Sequence, residues 1–304
     1  MVAALERRAV AAARAVAAAH GLATDDAAVV HAGSNVVVHL RPAPVVARVM
    51  SGTVALHDDP QRWLAREQAV LGFLAPSGVA VAPSALLPPG PHEHEGLWLT
   101  FSAWVADAEP WARPDDPRRL GRALRDLHDA LRPFDGDLAD LRDLGDDIAR
   151  LHRHLRPADA AEAAAIDALG QRLDAVRAGV FASALPVQAL HGDVSLSNLL
   201  RTPHGPIWND FEDTFRGPVH WDVAGYAISH RDRGADDASV RAMLDAYGWA
   251  DEAELAPFVE AHDLYGEIWG LYDRGRRRDG DGVAPGAGAP DGVGAPGDRH
   301  HPAP

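Results

Sequence analysis

Residues 191 to 198 read "HGDVSLSN", and residues 206 to 215 read "PIWNDFEDTF". The first stretch gathers His191, Asp193 and Asn198; the second sets Asp210 ahead of Phe211. A solvated loop, a metal site and a phosphoryl-transfer centre all use such residues, so the surroundings must choose. Leu199 and Leu200, a "PHGP" turn and "PIWNDF" read as two short strands joined by a hairpin. That hairpin puts Asn198 just before one strand and Asp210 near the end of the next, at one edge, with Asp193 on the loop leading in. A carboxylate there can orient a hydroxyl and accept its proton. Amide and carboxylate oxygens suit a hard cation such as Mg2+ held against nucleotide phosphates.

Aspartate, four residues, asparagine, and later an aspartate before phenylalanine is also the order of the protein-kinase catalytic and metal loops. The elements upstream must then supply a nucleotide platform. "MVAALERRAVAAARAVAAAHGL" predicts an amphipathic helix, because Glu6, Arg7, Arg8 and Arg14 interrupt the apolar core a leader would need. β-branched runs on either side of "RPAP" predict an antiparallel hairpin. Asp58, Asp59 and Pro60 open a helix carrying Trp63, Leu64, Val70, Leu71 and Leu74. "LWLTFSAWV", from 97 to 105, reads as a buried strand. Beyond it, Leu120, Leu124, Leu127 and Leu131 mark one face of a long helix, and alanine-rich helices fill 137 to 179. The expected class is α+β: a strand-rich lobe over residues 1–104, a mostly helical lobe over 105–273, and a disordered Gly/Pro/Ala-rich tail over 274–304.

Composition narrows the partners. The 304 residues include no cysteine, which excludes disulfides and thiolate metal sites and suits a reducing cytoplasm. There is no lysine, so any cationic role falls to one of the 29 arginines. Net charge is −15, and the tail, with five arginines and four aspartates, leaves the body at −16. An acidic body argues against nucleic acid and anionic membranes and favours cationic ligands. No apolar run reaches the ~18 residues of a membrane span.

The ordered segments resemble the aminoglycoside phosphotransferase and choline kinase-like family of small-molecule kinases, which share the protein-kinase fold. "LHGDVSLSNLL" is similar to the family's catalytic loop, "NDFED" to its metal segment and "GPVHWDVAGY" to the segment after it. "HAGSNVVVHL" resembles the phosphate loop, "VVARVM" the strand bearing the phosphate-pairing cation, "REQAVLGFLA" the helix bearing its glutamate, and "RRLGRALRDLHDAL" the helix opening the second lobe. Seven segments in the same order cover most of residues 30 to 230. The resemblance implies a bilobal fold and transfer of the γ-phosphate of ATP or GTP, with Mg2+, to a hydroxyl of a small acceptor. It makes Asp193 the catalytic carboxylate and Asn198 and Asp210 the Mg2+ ligands. Arg48, paired with Glu67, is the phosphate clamp, Val46 the adenine roof, and Gly33, Ser34 and Asn35 the phosphate turn. Arginine stands where most kinases carry lysine, and only one glycine marks the turn.

His191 is expected to pack and hold the loop, and Asp222, by resemblance, to accept backbone hydrogen bonds from it. His92, Glu93, His94 and Glu95 alternate on what reads as a solvated hairpin tip rather than a metal site. With a short interval between Asp210 and Asp222, a small acceptor is expected. The acidic body points to a polycation such as an aminoglycoside, with choline, ethanolamine, amino alcohols and sugars as alternatives. By resemblance, Glu260, Asp263 and Glu267 would line its site. A non-catalytic nucleotide-binding module is the other reading, opposed by the intact Asp193, Asn198 and Asp210. Oligomeric state is not set by the sequence.

Overall fold

A computed structural model describes residues 2–33, 35–50 and 59–278. Ser34, the 51–58 stretch with Asp58, and residues 279–304 lie outside the described residues. The chain opens with helix α1 (Val2–Ala19), whose Ala9, Ala12, Ala13, Val16 and Ala17 recur at helical spacing and are buried. They cover an antiparallel sheet of β1 (Asp26–Ala32), β2 (Asn35–Arg41), β3 (Val45–Met50), β4 (His92–His94) and β5 (Leu97–Ala103), in the order β1-β2-β3-β5-β4. Strand side chains alternate between faces. Val36, Val38, Leu40, Val45, Ala47, Val49, Leu97, Leu99 and Phe101 therefore join α1 in one core. The opposite face carries Val46 and Arg48, registered against Ser102 and Thr100 of β5. The β2–β3 hairpin turns at "RPAP" as expected.

Helix α2 (Pro60–Leu74) starts at Asp59, whose carboxylate accepts from the Arg62 amide at 3.0 Å, with Pro60 in the first turn. Its Val70, Leu71 and Leu74 pack into the larger second core. That core is built on α3 (Pro117–Leu131), with Leu120, Leu124, Leu127 and Leu131 buried, and on α4 (Leu141–Arg153) and α5 (Ala160–Gly179). Aspartates 116, 140 and 159 cap these helices. Short strands β6 (Glu109–Pro110), β7 (Gln188–Leu190), β8 (Leu199–Thr202), β9 (Gly205–Trp208) and β10 (Phe215–Gly217) precede α6 (His220–Asp232), α7 (Asp237–Tyr247) and α8 (Ala256–Arg278). The β8–β9 pair is the hairpin read from the sequence.

Two details differ from the sequence reading. His92–His94 forms a strand on β5, so only Glu95 and Gly96, both with positive φ, make the turn. Helix α8 runs through Arg278 rather than ending near Arg274; the Arg278 guanidinium donates to Glu162 at 3.0 Å and to the Arg156 carbonyl at 2.7 Å. Glycine and proline, which end helical periodicity, become frequent only after that point. Among the described residues, no helix is long and apolar enough to cross a membrane.

Candidate active site

Strand β7 delivers the chain into the 191–198 loop, and buried polar groups underneath fix the loop's shape. The Asp222 carboxylate, in the first turn of α6 and 1% exposed, accepts from the amides of His191 at 2.9 Å and Gly192 at 3.0 Å. It also meets His128 Nε2 of α3 at 3.0 Å, and His128 Nδ1 meets the Tyr247 hydroxyl of α7 at 2.8 Å. Burial pushes the Asp222 carboxyl up, but the hydrogen bond and charge of His128 and the loop amide outweigh it and hold it below its ordinary value. Trp221 donates its indole N–H to the Gly192 carbonyl at 2.9 Å. Gly192 has φ +90, and a Cβ there would lie 2.0 Å from the Asp213 carbonyl oxygen. Only glycine permits that approach between the loop and the 210–213 segment.

His191 is fully buried, and burial lowers its pKa, so the imidazole is neutral. Nε2 donates to the Asn209 carbonyl at 2.9 Å, and Nδ1 accepts from the Asp193 amide at 3.3 Å. The ring packs on Phe211, 4.5 Å between centroids. It holds the loop, as the sequence suggested.

Asn198 Nδ2 donates to both the backbone oxygen and Oδ2 of Asp193, each at 2.9 Å. This orients the Asp193 carboxylate and turns the Asn198 amide oxygen the other way. The Asn209 amide donates to the Asn198 carbonyl at 2.8 Å, closing the hairpin end. Asp210 follows at φ +64, a left-handed conformation that a non-glycine residue adopts at a cost of about 1–3 kcal/mol. The hairpin thus brings Asp193, Asn198 and Asp210 to one edge.

Arg48 reaches that edge from β3. Its Nη2 pairs with Glu67 of α2 at 2.5 Å, and its Nη1 with Asp210 at 3.4 Å and closely with Glu212. Burial alone would lower the guanidinium, yet Glu67, Glu212 and Asp210 together raise it, so it stays charged. Burial raises both the Glu67 and Glu212 carboxyls, an effect Arg48 opposes. Asn35 Nδ2 donates to Glu212 at 3.1 Å, while Asn35 Oδ1 is buried without a partner among the described residues. The Gly33 amide donates to the Asn35 carbonyl at 3.0 Å. Val46, half-buried, lies on the same face of β3 as Arg48.

The structure does not bring the three acids of α8 into this group. Arg172 of α5 holds Glu260 and Glu267, each at 2.8 Å, and Asp263 is exposed on the same side of the helix. Tyr265 turns the other way instead. Burial and the carboxylates of Asp213, Asp193 and Asp147 raise its phenol well above the ordinary value. Trp269 and Tyr272, one and two turns on, share that face, with their rings 6.0 Å apart. Sequence reading missed Glu212, although "NDFED" displays it, and missed Tyr265, for which helical spacing gives no sign.

Among the described residues, the metal-binding groups at this edge are carboxylate and amide oxygens, the set that Mg2+ prefers. Among the described residues no three His, Cys, Asp or Glu side chains converge to hold an ion by themselves. Mg2+ takes one or two protein oxygens and completes its shell from phosphates and water, so the pair of Asn198 and Asp210 fits it.

The sequence profile of the phosphotransferase enzyme family matches residues 34–258. No curated protein matches the sequence. Solved structures with the same fold include a choline/ethanolamine kinase family protein from Mesorhizobium loti, at 18% identity and TM-score 0.61, covering 92% of this chain and 88% of that one. Another is the GDP and kanamycin complex of APH(2")-IIia, at 15% and 0.66, covering 88% and 93%. A third is the aminoglycoside phosphotransferase APH(3'')-Id from Streptomyces rimosus with ADP and streptomycin, at 16% and 0.58, covering 84% and 98%. The fold is that of the protein kinases, and with the profile spanning well over half its length the chain belongs to the phosphotransferase enzyme family, a family of small-molecule kinases.

Proposed function

We propose that this protein transfers the γ-phosphate of ATP or GTP to a hydroxyl of a small, cationic acceptor. The observation that carries the reading is the Asp193–Asn198–Asp210 edge facing an Arg48 fixed by Glu67. Asp193, oriented by Asn198, aligns the acceptor hydroxyl and takes its proton as the oxygen attacks phosphorus and the bond to the β-phosphate oxygen breaks. Asn198 and Asp210 would hold Mg2+, which would supply positive charge against the phosphates. Arg48 pairs with phosphate through its planar fork, Glu67 keeping the fork in place. Gly33 and Asn35 sit beside the phosphates, and Val46 covers the base.

The acceptor enters between the catalytic edge and α8. There Asp193, Glu212 and Asp213 supply negative charge, and Tyr265, Trp269 and Tyr272 supply aromatic surface. Ring faces attract cations by roughly 0.5–2 kcal/mol each, and carboxylates add to this. An amine-bearing alcohol suits both features, as an aminoglycoside or a choline-like molecule does. A phosphate-transfer screen over hydroxylated amines and neutral sugars tests the reading. Amines should be phosphorylated, with KM rising with ionic strength while kcat changes less. Efficient turnover of a neutral sugar without salt dependence would remove the cationic acceptor and leave the kinase. Nucleotide binding without turnover of any acceptor in the screen would favour a non-catalytic module.

A further inference from the structure

Helix α2 carries Glu67, which fixes Arg48, and two separate contacts tie that helix to the helical lobe. Toward its C-terminal end, Val70, Leu71 and Leu74 pack into the larger core. In its first two turns, Arg62 and Arg66 share a face and both reach the Asp137 carboxylate. Arg62 donates to Asp137 Oδ2 from Nε at 3.2 Å and from Nη2 at 2.9 Å. Arg66 Nη2 donates to the same oxygen at 3.5 Å. The Arg62 hydrogen bonds and the Arg66 charge hold the Asp137 carboxyl below its ordinary value. Glu67 stands between the two contacts.

The segment that bears Asp137, between α3 and α4, is anchored on the strand that leaves the catalytic edge. Arg216 of β10 donates its amide to the Ala139 carbonyl at 2.8 Å. Its Nη2 donates to the carbonyls of Phe134 at 2.9 Å and Gly136 at 3.2 Å. Phe134 is buried, and Phe73 of α2 meets its ring edge-on at 5.2 Å between centroids. Asp137 thus links the helix behind Arg48 to the chain that carries Asp210. A lone exposed ion pair contributes little, because ordering two long side chains offsets the attraction. Here the acceptor is short, its backbone is already fixed, and two arginines share it. We propose that Asp137 is a positioning residue: through Arg62 and Arg66 it sets the orientation of α2, and so of the Glu67–Arg48 pair, relative to Asp210. Without that tie the helix would be free to pivot on its buried C-terminal end, carrying Glu67 with it and turning the guanidinium off the phosphates. The inference rests on the nucleotide site proposed above.

The test measures ADP binding by calorimetry in saturating Mg2+, with thermal melts, for the wild type, Asp137→Ala and Asp137→Glu. The Asp137 side chain is 63% exposed, so each variant should fold. ADP affinity should fall roughly three- to fivefold in Asp137→Ala and return close to the wild-type value in Asp137→Glu, which restores the carboxylate. A merely structural role would lower the melting temperature and leave affinity unchanged. That result, or a glutamate variant as weak as the alanine one, would overturn the proposal. A double-mutant cycle then asks whether the effect passes through Glu67. On a Glu67→Gln background, Asp137→Ala should change ADP affinity by less than about twofold, and an undiminished loss would count against the link. Should Glu67→Gln lose its cooperative melt, Arg62→Ala with Arg66→Ala takes its place. Adding Asp137→Ala to that pair should cost no further affinity, and additive losses would overturn the inference. A wild type that binds no ADP under any condition would instead sink the nucleotide reading itself.

Discussion

Replacing Asp222 by asparagine puts a figure on how the catalytic loop is held. The wild-type carboxylate accepts from His191 N, Gly192 N and His128 Nε2 at 2.9, 3.0 and 3.0 Å. It is 1% exposed, so water cannot replace a lost partner. Asparagine keeps one acceptor oxygen and turns an NH2 group towards a donor. One charge-assisted bond is lost and one buried donor is left unsatisfied, costing about 3 kcal/mol at pH 7. For a chain of this size that corresponds to a melting temperature lower by roughly 6–12 °C. The pH dependence has a definite sign. The folded carboxyl lies below its ordinary value, so its contribution is complete above the unfolded value of about 4 and is lost as pH falls through the folded one. The gap between wild type and Asp222→Asn should stay constant from about pH 5 to 8 and narrow below about 4. Melts across that range, with kcat at pH 7, are the assay, and kcat should fall because the Asp193 loop rests on this carboxylate. A melting temperature within about 2 °C of wild type, or a gap that widens in acid, would refute the buttress.

Asp193→Asn should lower kcat by about 10²–10⁴-fold while ADP affinity in Mg2+ stays within about twofold, because only proton acceptance and alignment are removed; near-wild-type turnover on a confirmed acceptor would reject the assignment. Trp269→Ala should raise acceptor KM by roughly three- to tenfold, whereas neutralising Glu260 and Glu267 should leave KM unchanged and cost about 1 kcal/mol of stability or less, as half-exposed ion pairs do. The opposite pattern in acceptor kinetics would return the acids to the site. Truncation after Arg278 should leave the melting temperature unmoved, since the remaining sequence has no periodic apolar residues. A drop of several degrees would show that those residues pack on the body.

The local chemistry of the fold was legible. Asp59, Asp116, Asp140 and Asp159 announce helix starts through a carboxylate that accepts the first free amides, and the leucines of α3 announce its buried face. The β8–β9 hairpin followed from two short apolar runs and a turn, and with it the meeting of Asn198 and Asp210. Contacts that close over long chain separations were not legible from spacing. Asn35 and Glu212 lie 177 residues apart, and nothing near either names the other. His128 reads as an ordinary helix residue until Asp222 and Tyr247 are placed on either side of it.

The acids of α8 show where such reasoning stops. Glu260 and Glu267 are two turns apart and so share one helix face, which the sequence does reveal. It does not reveal which neighbour that face meets, and Arg172 on α5 meets it first. The net charge of −15 pointed to acidic residues around the acceptor, but a global excess does not locate a field. The structure draws the relevant charge from closer to the chemistry. One cation, Arg48, faces Glu67, Asp210 and Glu212 directly, and Asp193 and Asp213 stand close by. Among the described residues, an edge with one positive group beside five acidic side chains favours the arrival of cations before any substrate contact is made. On the proposed function, metal and amine would be drawn by the same local deficit, and salt should weaken both together.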